Sequence, residues 1–221
     1  MKDDAATATP RPSPPVSFRI YLVTDPRPDL GARVAAALAG APAGAVGVQL
    51  RMKGASGREL WGVTSAIRVV TEAAGAPLLV NERADVARAV GADGVHLPAD
   101  AMDAEAVRRF WPGALVGRSV HGADEAAAAA AESCALIVAG PVYATPSKAG
   151  MGTPIGLAGL GGCRAALGAG ARPALFALGG VDAARARACR DAGADGVACV
   201  RALLDAPDPG AAVAALLAAL G

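Results

Sequence analysis

Eight short apolar runs alternate along this chain with eight stretches in which apolar residues recur at helical spacing or alanine dominates. The apolar runs are FRIYLVTD (18–25), AVGVQLR (45–51), PLLVN (77–81), GVHL (94–97), LVGRSV (115–120), ALIVAG (135–140), ALFALGG (174–180) and GVACV (196–200). Their hydrophobic residues are largely continuous rather than alternating, as in strands covered on both faces, which is the condition of a parallel sheet. The stretches near 30–39, 57–74, 83–90, 103–110, 123–132, 157–167, 182–191 and 210–220 predict helices. Strand then helix, eight times within residues 18–221, predicts an α/β chain folded as a single-domain (β/α)8 barrel. A doubly wound open sheet would want a glycine-rich turn after its first strand, and VTDPRPDL offers prolines instead.

One local instruction is written twice. The pentapeptide GADGV occupies 91–95 and again 193–197. Gly91 and Gly193 stand where a helix end needs a left-handed residue, and Gly94 and Gly196 where a strand begins. The two copies open strands four and eight, the same step in two halves of a barrel.

Composition narrows the class of function. Of 221 residues 53% are hydrophobic, but only 3% are aromatic and 28 are glycine, so the core is aliphatic packing between close backbones. A formal charge of +1 gives no bulk electrostatic reason to bind nucleic acid or a membrane surface. No apolar run reaches membrane-spanning length. Cys134, Cys163, Cys189 and Cys199 form no CxxC pair and no zinc-like group with the two histidines, so they read as buried free thiols of a reducing, cytoplasmic setting. Residues 1–17, rich in proline and lacking an apolar stretch, read as a disordered tail and not as a signal peptide.

A barrel of this kind builds its site from the carboxyl ends of the strands. In chain order those ends supply Thr24 and Asp25; Gln49, Arg51 and Lys53; Asn81 and Glu82; His96, Pro98 and Asp100; Arg118, Ser119 and His121; Thr145, Ser147 and Lys148; Gly179 and Gly180; and Arg201. Arg51, Lys53, Lys148 and Arg201 call for an anionic ligand. Gly179 and Gly180, ahead of a helix N-terminus, would let backbone N–H groups approach a phosphate, a tight turn being the plain alternative. Arg201 adds a cation there or simply starts a helix. His96, inside its strand, reads as a packed core histidine. His121 follows the fifth strand, where an imidazole suits proton transfer. Residues 141–157 read as a lid, in which Lys148 either clamps an anion or is solvated.

With these residues in place, the chain resembles the superfamily of thiamine phosphate synthases and TenI-like thiazole tautomerases. The matching segments are VQLRMK, LLVNERADVARAVGADGVHL, GRSVH, GPVYATPSK and FALGGV, spread from YLVTD to GVACV. In the synthase branch the resemblance implies joining of hydroxymethylpyrimidine diphosphate to a thiazole phosphate, with release of diphosphate and with Mg²⁺. Gln49, Arg51, Lys53, Asn81 and Lys148 match that branch, and Thr145 and Ser147 are conservative. Its metal ligands match less well: Glu82 stands for an aspartate, Ala101 occupies the place of a second, and Asp100 lies one position early. The tautomerase branch moves a proton to aromatise a thiazole carboxylate phosphate and needs no metal or cofactor.

The sequence is therefore expected to encode a TenI-like tautomerase. His121 is its proton-transfer residue, with Lys148 and Glu82 as the other candidate catalytic groups. Gln49, Arg51, Lys53, Asn81, Ser119, Thr145, Ser147, Gly179, Gly180 and Arg201 bind the substrate. The alternative is the synthase, with Mg²⁺ on Glu82 and Asp100; a third reading is a non-catalytic regulator. The expected partner is a phosphorylated thiazole, with no nucleic acid and no membrane, and self-association stays open.

Overall fold

A computed structural model describes residues 15–145, 153–168 and 173–221. The expected tail at 1–17 lies outside them up to residue 14. The strands are β1 (Ile20–Val23), β2 (Val46–Leu50), β3 (Leu78–Asn81), β4 (Gly94–Leu97), β5 (Leu115–Val120), β6 (Leu136–Ala139), β7 (Ala174–Leu178) and β8 (Gly196–Cys199). They pair in sequence order, all parallel, and β8 closes on β1. The helices between them are α1 (Leu30–Ala39), α2 (Gly57–Ala73), α3 (Ala84–Ala89), α4 (Ala104–Phe110), α5 (Ala123–Ala131), α6 (Gly156–Ala166) and α7 (Ala183–Asp191). After β8 come a one-turn helix α8 (Arg201–Leu204), which the hydrophobic pattern does not foresee, and the closing helix α9 (Pro209–Leu220). No helix among the described residues is long and apolar enough to cross a membrane.

Alternation along each strand divides the core in two. Ile20, Leu22, Val48, Leu50, Val80, Val95, Val116 and Ile137 face the helices and join one continuous aliphatic layer. Phe18, Tyr21, Leu79, Leu136, Val138, Phe176 and Ala198 form a second cluster in the lumen. Rings pack on rings there, with Phe18 and Phe176 centred 5.2 Å apart and Tyr21 and Phe176 5.9 Å apart. Glycines make the room. A Cβ on Gly47 would lie 2.8 Å from the Phe18 ring, and one on Gly117 would lie 2.6 Å from His96 Nδ1. All four cysteines are buried.

The GADGV repeat proves to be one structural lock used twice. Gly91 and Gly193 have φ of +69° and +103°, ending α3 and α7. The aspartate that follows turns back to the start of the preceding strand. Asp93 Oδ2 accepts from Leu78 N–H at 2.8 Å and pairs with Arg68 of α2 at 2.8 Å. Asp195 Oδ2 accepts from Leu175 N–H at 2.8 Å and pairs with Arg164 of α6 at 2.6 Å. Each carboxylate thus satisfies a strand-start donor and ties a helix to the sheet, on the face of the barrel away from the strand ends.

Asp93→Ala and Asp195→Ala should each lower stability by about 1–3 kcal/mol, since each strips an acceptor from a buried backbone donor. The locks share no partner, so the double variant should lose the sum to within ~0.5 kcal/mol. Urea unfolding midpoints measure both. A clearly non-additive double variant would mean that the two locks are coupled.

Candidate active site

The strand ends converge at one mouth of the barrel. Parallel pairing fixes their relative heights, with Gln49 beside Leu79, Asn81 beside His96 and Gly117 beside Leu136. Because inward positions recur every second residue, a polar layer forms above the aromatic lumen. It consists of Gln49, Asn81, His96 and Ser119, from β2 through β5. Gln49, only 3% exposed, donates from Nε2 to Asn81 Oδ1 at 3.1 Å. His96 Nε2 lies 2.9 Å from Ser119 Oγ, and its Nδ1 lies 3.5 Å from the Tyr21 hydroxyl below. Burial first, then the positive charges of Arg118 and Arg51, push the His96 pKa down to about 3. A neutral imidazole offers one donor and one acceptor. Both of its neighbours are hydroxyls that serve either way, so the chain from Tyr21 to Ser119 is satisfied in either tautomer.

The end of β1 is tied to that of β2. Thr24 N–H donates to Gln49 O at 2.9 Å, and Arg51 N–H donates to Thr24 Oγ1 at 2.9 Å. This places Arg51 at the mouth, near enough to depress His96. Lys53, two residues on, is exposed, and Asp25 is held by Arg27 at 2.8 Å.

Two carboxylates stand at neighbouring strand ends. Glu82 follows β3 with φ of +66°, a left-handed conformation unusual for a residue other than glycine. Two backbone bonds hold it there: its N–H donates to His96 O at 2.8 Å and its carbonyl accepts from Ala84 N–H at 3.0 Å. Asp100 sits exposed on the turn after β4, closed by Ala101 N–H to Pro98 O at 3.2 Å. Ala101 packs against the core.

Across the mouth lie the glycine pair and Arg201. Gly179 and Gly180 both have positive φ, +101° and +64°. They are also packed: a Cβ would lie 2.7 Å from Pro141 in one case and 2.9 Å from Tyr143 Cβ in the other. The tight-turn requirement is therefore met by the protein itself, whatever ligand approaches. Arg185 Nη1 donates to Gly180 O at 2.7 Å and its guanidinium lies over the Tyr143 ring at 4.8 Å. Arg201 opens α8 and donates to Thr145 Oγ1 at 2.8 Å. Ser147 and Lys148 lie outside the described residues.

The two histidines differ in setting. His121, half-exposed at the start of the β5–α5 connection, is bonded to a surface carboxylate. Glu125 Oε2 is 3.1 Å from its Nδ1 and accepts its backbone N–H at 2.8 Å. His96 is the one inside, in contact with Ser119. Arg118, grouped with the strand-end ligands on sequence, points instead into the helix layer, because it alternates with the inward Gly117 and Ser119. Tyr21 and Arg185 were missed as parts of the site. Tyr21 lies too deep for a list of strand ends, although its period-two register with Val23 marks it as inward.

Comparison with known proteins places this geometry. The family described as thiamine monophosphate synthase matches residues 20–203. A thiamine-phosphate synthase of Deinococcus radiodurans is 44% identical over 91% of this chain and 73% of its own length. One of Chloroflexus aurantiacus is 39% identical over 92% and 93%. A solved thiamine phosphate pyrophosphorylase from Pyrococcus furiosus superposes with a TM-score of 0.77 at 29% identity, over 92% of this chain and 95% of that one.

The buried imidazole makes a pH prediction. In the unfolded chain His96 takes up a proton near pH 6.5, and in the fold only near pH 3. Between those values the unfolded state binds more protons, so stability is full above pH 6.5 and falls as the pH drops toward 3. His96→Gln should lower stability at pH 7.5, yet flatten its decline between pH 6.5 and 4. Melting temperatures taken across that interval decide it, and an unchanged slope would place the acid sensitivity elsewhere.

Proposed function

This chain belongs to the thiamine monophosphate synthase family, and on that premise we propose that it is a transferase that joins hydroxymethylpyrimidine diphosphate to a thiazole phosphate, releasing diphosphate. The synthase names of relatives at 39–44% identity favour this reading over the tautomerase expected from the sequence. The observation that carries it is the pair of carboxylates, Glu82 and Asp100, that follow the adjacent strands β3 and β4. A left-handed non-glycine residue costs about 1–3 kcal/mol, and such strain collects at functional sites.

Among the described residues no three His, Cys, Asp or Glu side chains converge, so a divalent cation here would rest on two carboxylates together with phosphate oxygens and water. Mg²⁺ is bound through one or two carboxylates, several waters and phosphate oxygens, and Glu82 and Asp100 are exposed oxygen donors of that kind. Bound Mg²⁺ would neutralise negative charge on the departing diphosphate. The rest of the work falls to the chain itself. Arg51 and Lys53 hold the diphosphate and stabilise the charge that gathers on it as its bond to carbon breaks. The Gln49–Asn81 pair and the Ser119 hydroxyl, oriented by His96, present hydrogen-bonding groups to the polar edges of the ring above them. At the opposite rim, backbone N–H groups after Gly180 and the guanidinium of Arg201 receive the thiazole phosphate. Its nucleophile is thereby held toward the carbon that loses diphosphate, and positioning of this kind supplies much of the rate.

Purified protein given both substrates and Mg²⁺ should form thiamine phosphate and diphosphate in equal amounts, and a chelator should stop it. Isomerisation of the unaromatised thiazole, with no diphosphate release, would replace the transferase by the tautomerase. Glu82→Gln and Asp100→Asn should each lower kcat by about 10²–10³-fold, the scale for removing one group that stabilises developing charge. Arg201→Met should instead raise KM for the thiazole phosphate and leave KM for the diphosphate substrate near the wild-type value. A uniform effect on both substrates would move Arg201 out of the phosphate site.

A further inference from the structure

The turn that carries Asp100 is gripped from below by a buried ion pair. Arg118, on the helix-facing side of β5 between Val116 and Val120, is 6% exposed in a layer that is otherwise aliphatic. Its Nη2 donates to Met102 O at 2.7 Å and to Glu132 Oε2 at 2.8 Å. Its Nη1 is shared among the carbonyls of Pro98, Ala99 and Ala101 at 3.3, 3.4 and 3.5 Å. Of the five consecutive carbonyls from Pro98 to Met102, only that of Asp100 is left out. Glu132, just past α5, extends the grip: the same Oε2 accepts Ala104 N–H at 2.9 Å, at the start of α4. The Glu132 carbonyl is held in turn by Arg108 of α4.

We propose that the Arg118–Glu132 pair is a positioning device that fixes the β4–α4 turn with Asp100 at its apex, and thereby sets the affinity of the site for a divalent cation bound with diphosphate. The proposal rests on the reading of Glu82 and Asp100 as cation-holding carboxylates. As a pure stabiliser the pair is poorly made. Among the described residues Arg118 Nε is buried without a nitrogen or oxygen partner, and apolar residues often replace buried ion pairs without loss of stability. What an apolar side chain cannot do is bind four carbonyls of one turn and the Glu132 carboxylate just past α5 at once. A planar guanidinium can.

The test titrates inorganic diphosphate into the whole protein by calorimetry, with and without Mg²⁺, alongside melting temperature. In the wild type Mg²⁺ should tighten diphosphate binding. Arg118→Met should weaken the Mg²⁺-supported binding by ~10–100-fold, the scale for groups that orient a metal ligand. Its binding without Mg²⁺ should stay as in the wild type. Asp100→Asn should show the same selective loss, and Arg118→Lys, with one point charge, an intermediate one. Should Arg118→Met fail to fold, Glu132→Gln serves, with the same direction expected. Unchanged Mg²⁺-supported binding in these variants, or equal loss with and without Mg²⁺, overturns the proposal. So does a normal Asp100→Asn. A wild type in which Mg²⁺ has no effect on diphosphate binding removes the metal reading itself, a different failure from an indifferent Arg118.

Discussion

A closed ring of eight parallel strands encloses a lumen of limited width, and every large side chain sent into it needs an opposing vacancy. Here the vacancies are glycines. Phe18 fills the space over Gly47, and the His96 ring fills the space over Gly117. With Phe18, Tyr21 and Phe176 packing the lower lumen, the next inward layer rests on aromatic rings and sits at the mouth. Gln49, Asn81, His96 and Ser119 occupy that layer, where Gln49 bonds to Asn81 and His96 to Ser119 above an apolar floor. The polar site is, in this sense, a lid on an aromatic plug.

Above the plug, chemistry divides by position around the ring. Strands β2 to β5 contribute amides, hydroxyl, imidazole and the two carboxylates. Strands β6 to β8 contribute the glycine turn, Thr145 and Arg201. The division matches a reaction in which one phosphorylated partner leaves a diphosphate behind and the other is anchored by a single phosphate. The Asp93 and Asp195 locks lie at the far face, where strands begin, so the groups that hold the ring together and the groups proposed to act on ligands do not compete for the same backbone.

Much of this was legible in the sequence, and the parts that were not have physical reasons. Continuous apolar runs and the repeated GADGV gave the strand count and the left-handed turns at Gly91 and Gly193, because backbone requirements write directly into residue type. The role of the aspartates inside that repeat stayed hidden, since their partners, Leu78 and Arg68 or Leu175 and Arg164, are 15 to 31 residues away. Arg118 was misplaced by counting strand ends without counting which face each residue takes. The one-turn helix α8 is too short to leave a periodic signal. The choice between transferase and tautomerase rested on Glu82 and Ala101 as departures from a carboxylate pattern, with Asp100 one position early, and a pattern read along the chain does not say where a shifted carboxylate stands in space.

The conformation of Glu82 has a consequence for how this barrel would change under selection. Glycine at that position would relieve the left-handed backbone at no steric cost, so, if Glu82 holds a cation as proposed, folding and ligand chemistry pull residue 82 in opposite directions. Pressure for heat resistance alone would push the chain toward a carboxylate-free β3–α3 junction. Pressure for turnover would hold an acidic residue there against that pull. The identity of residue 82 therefore records which of the two demands has been the stronger.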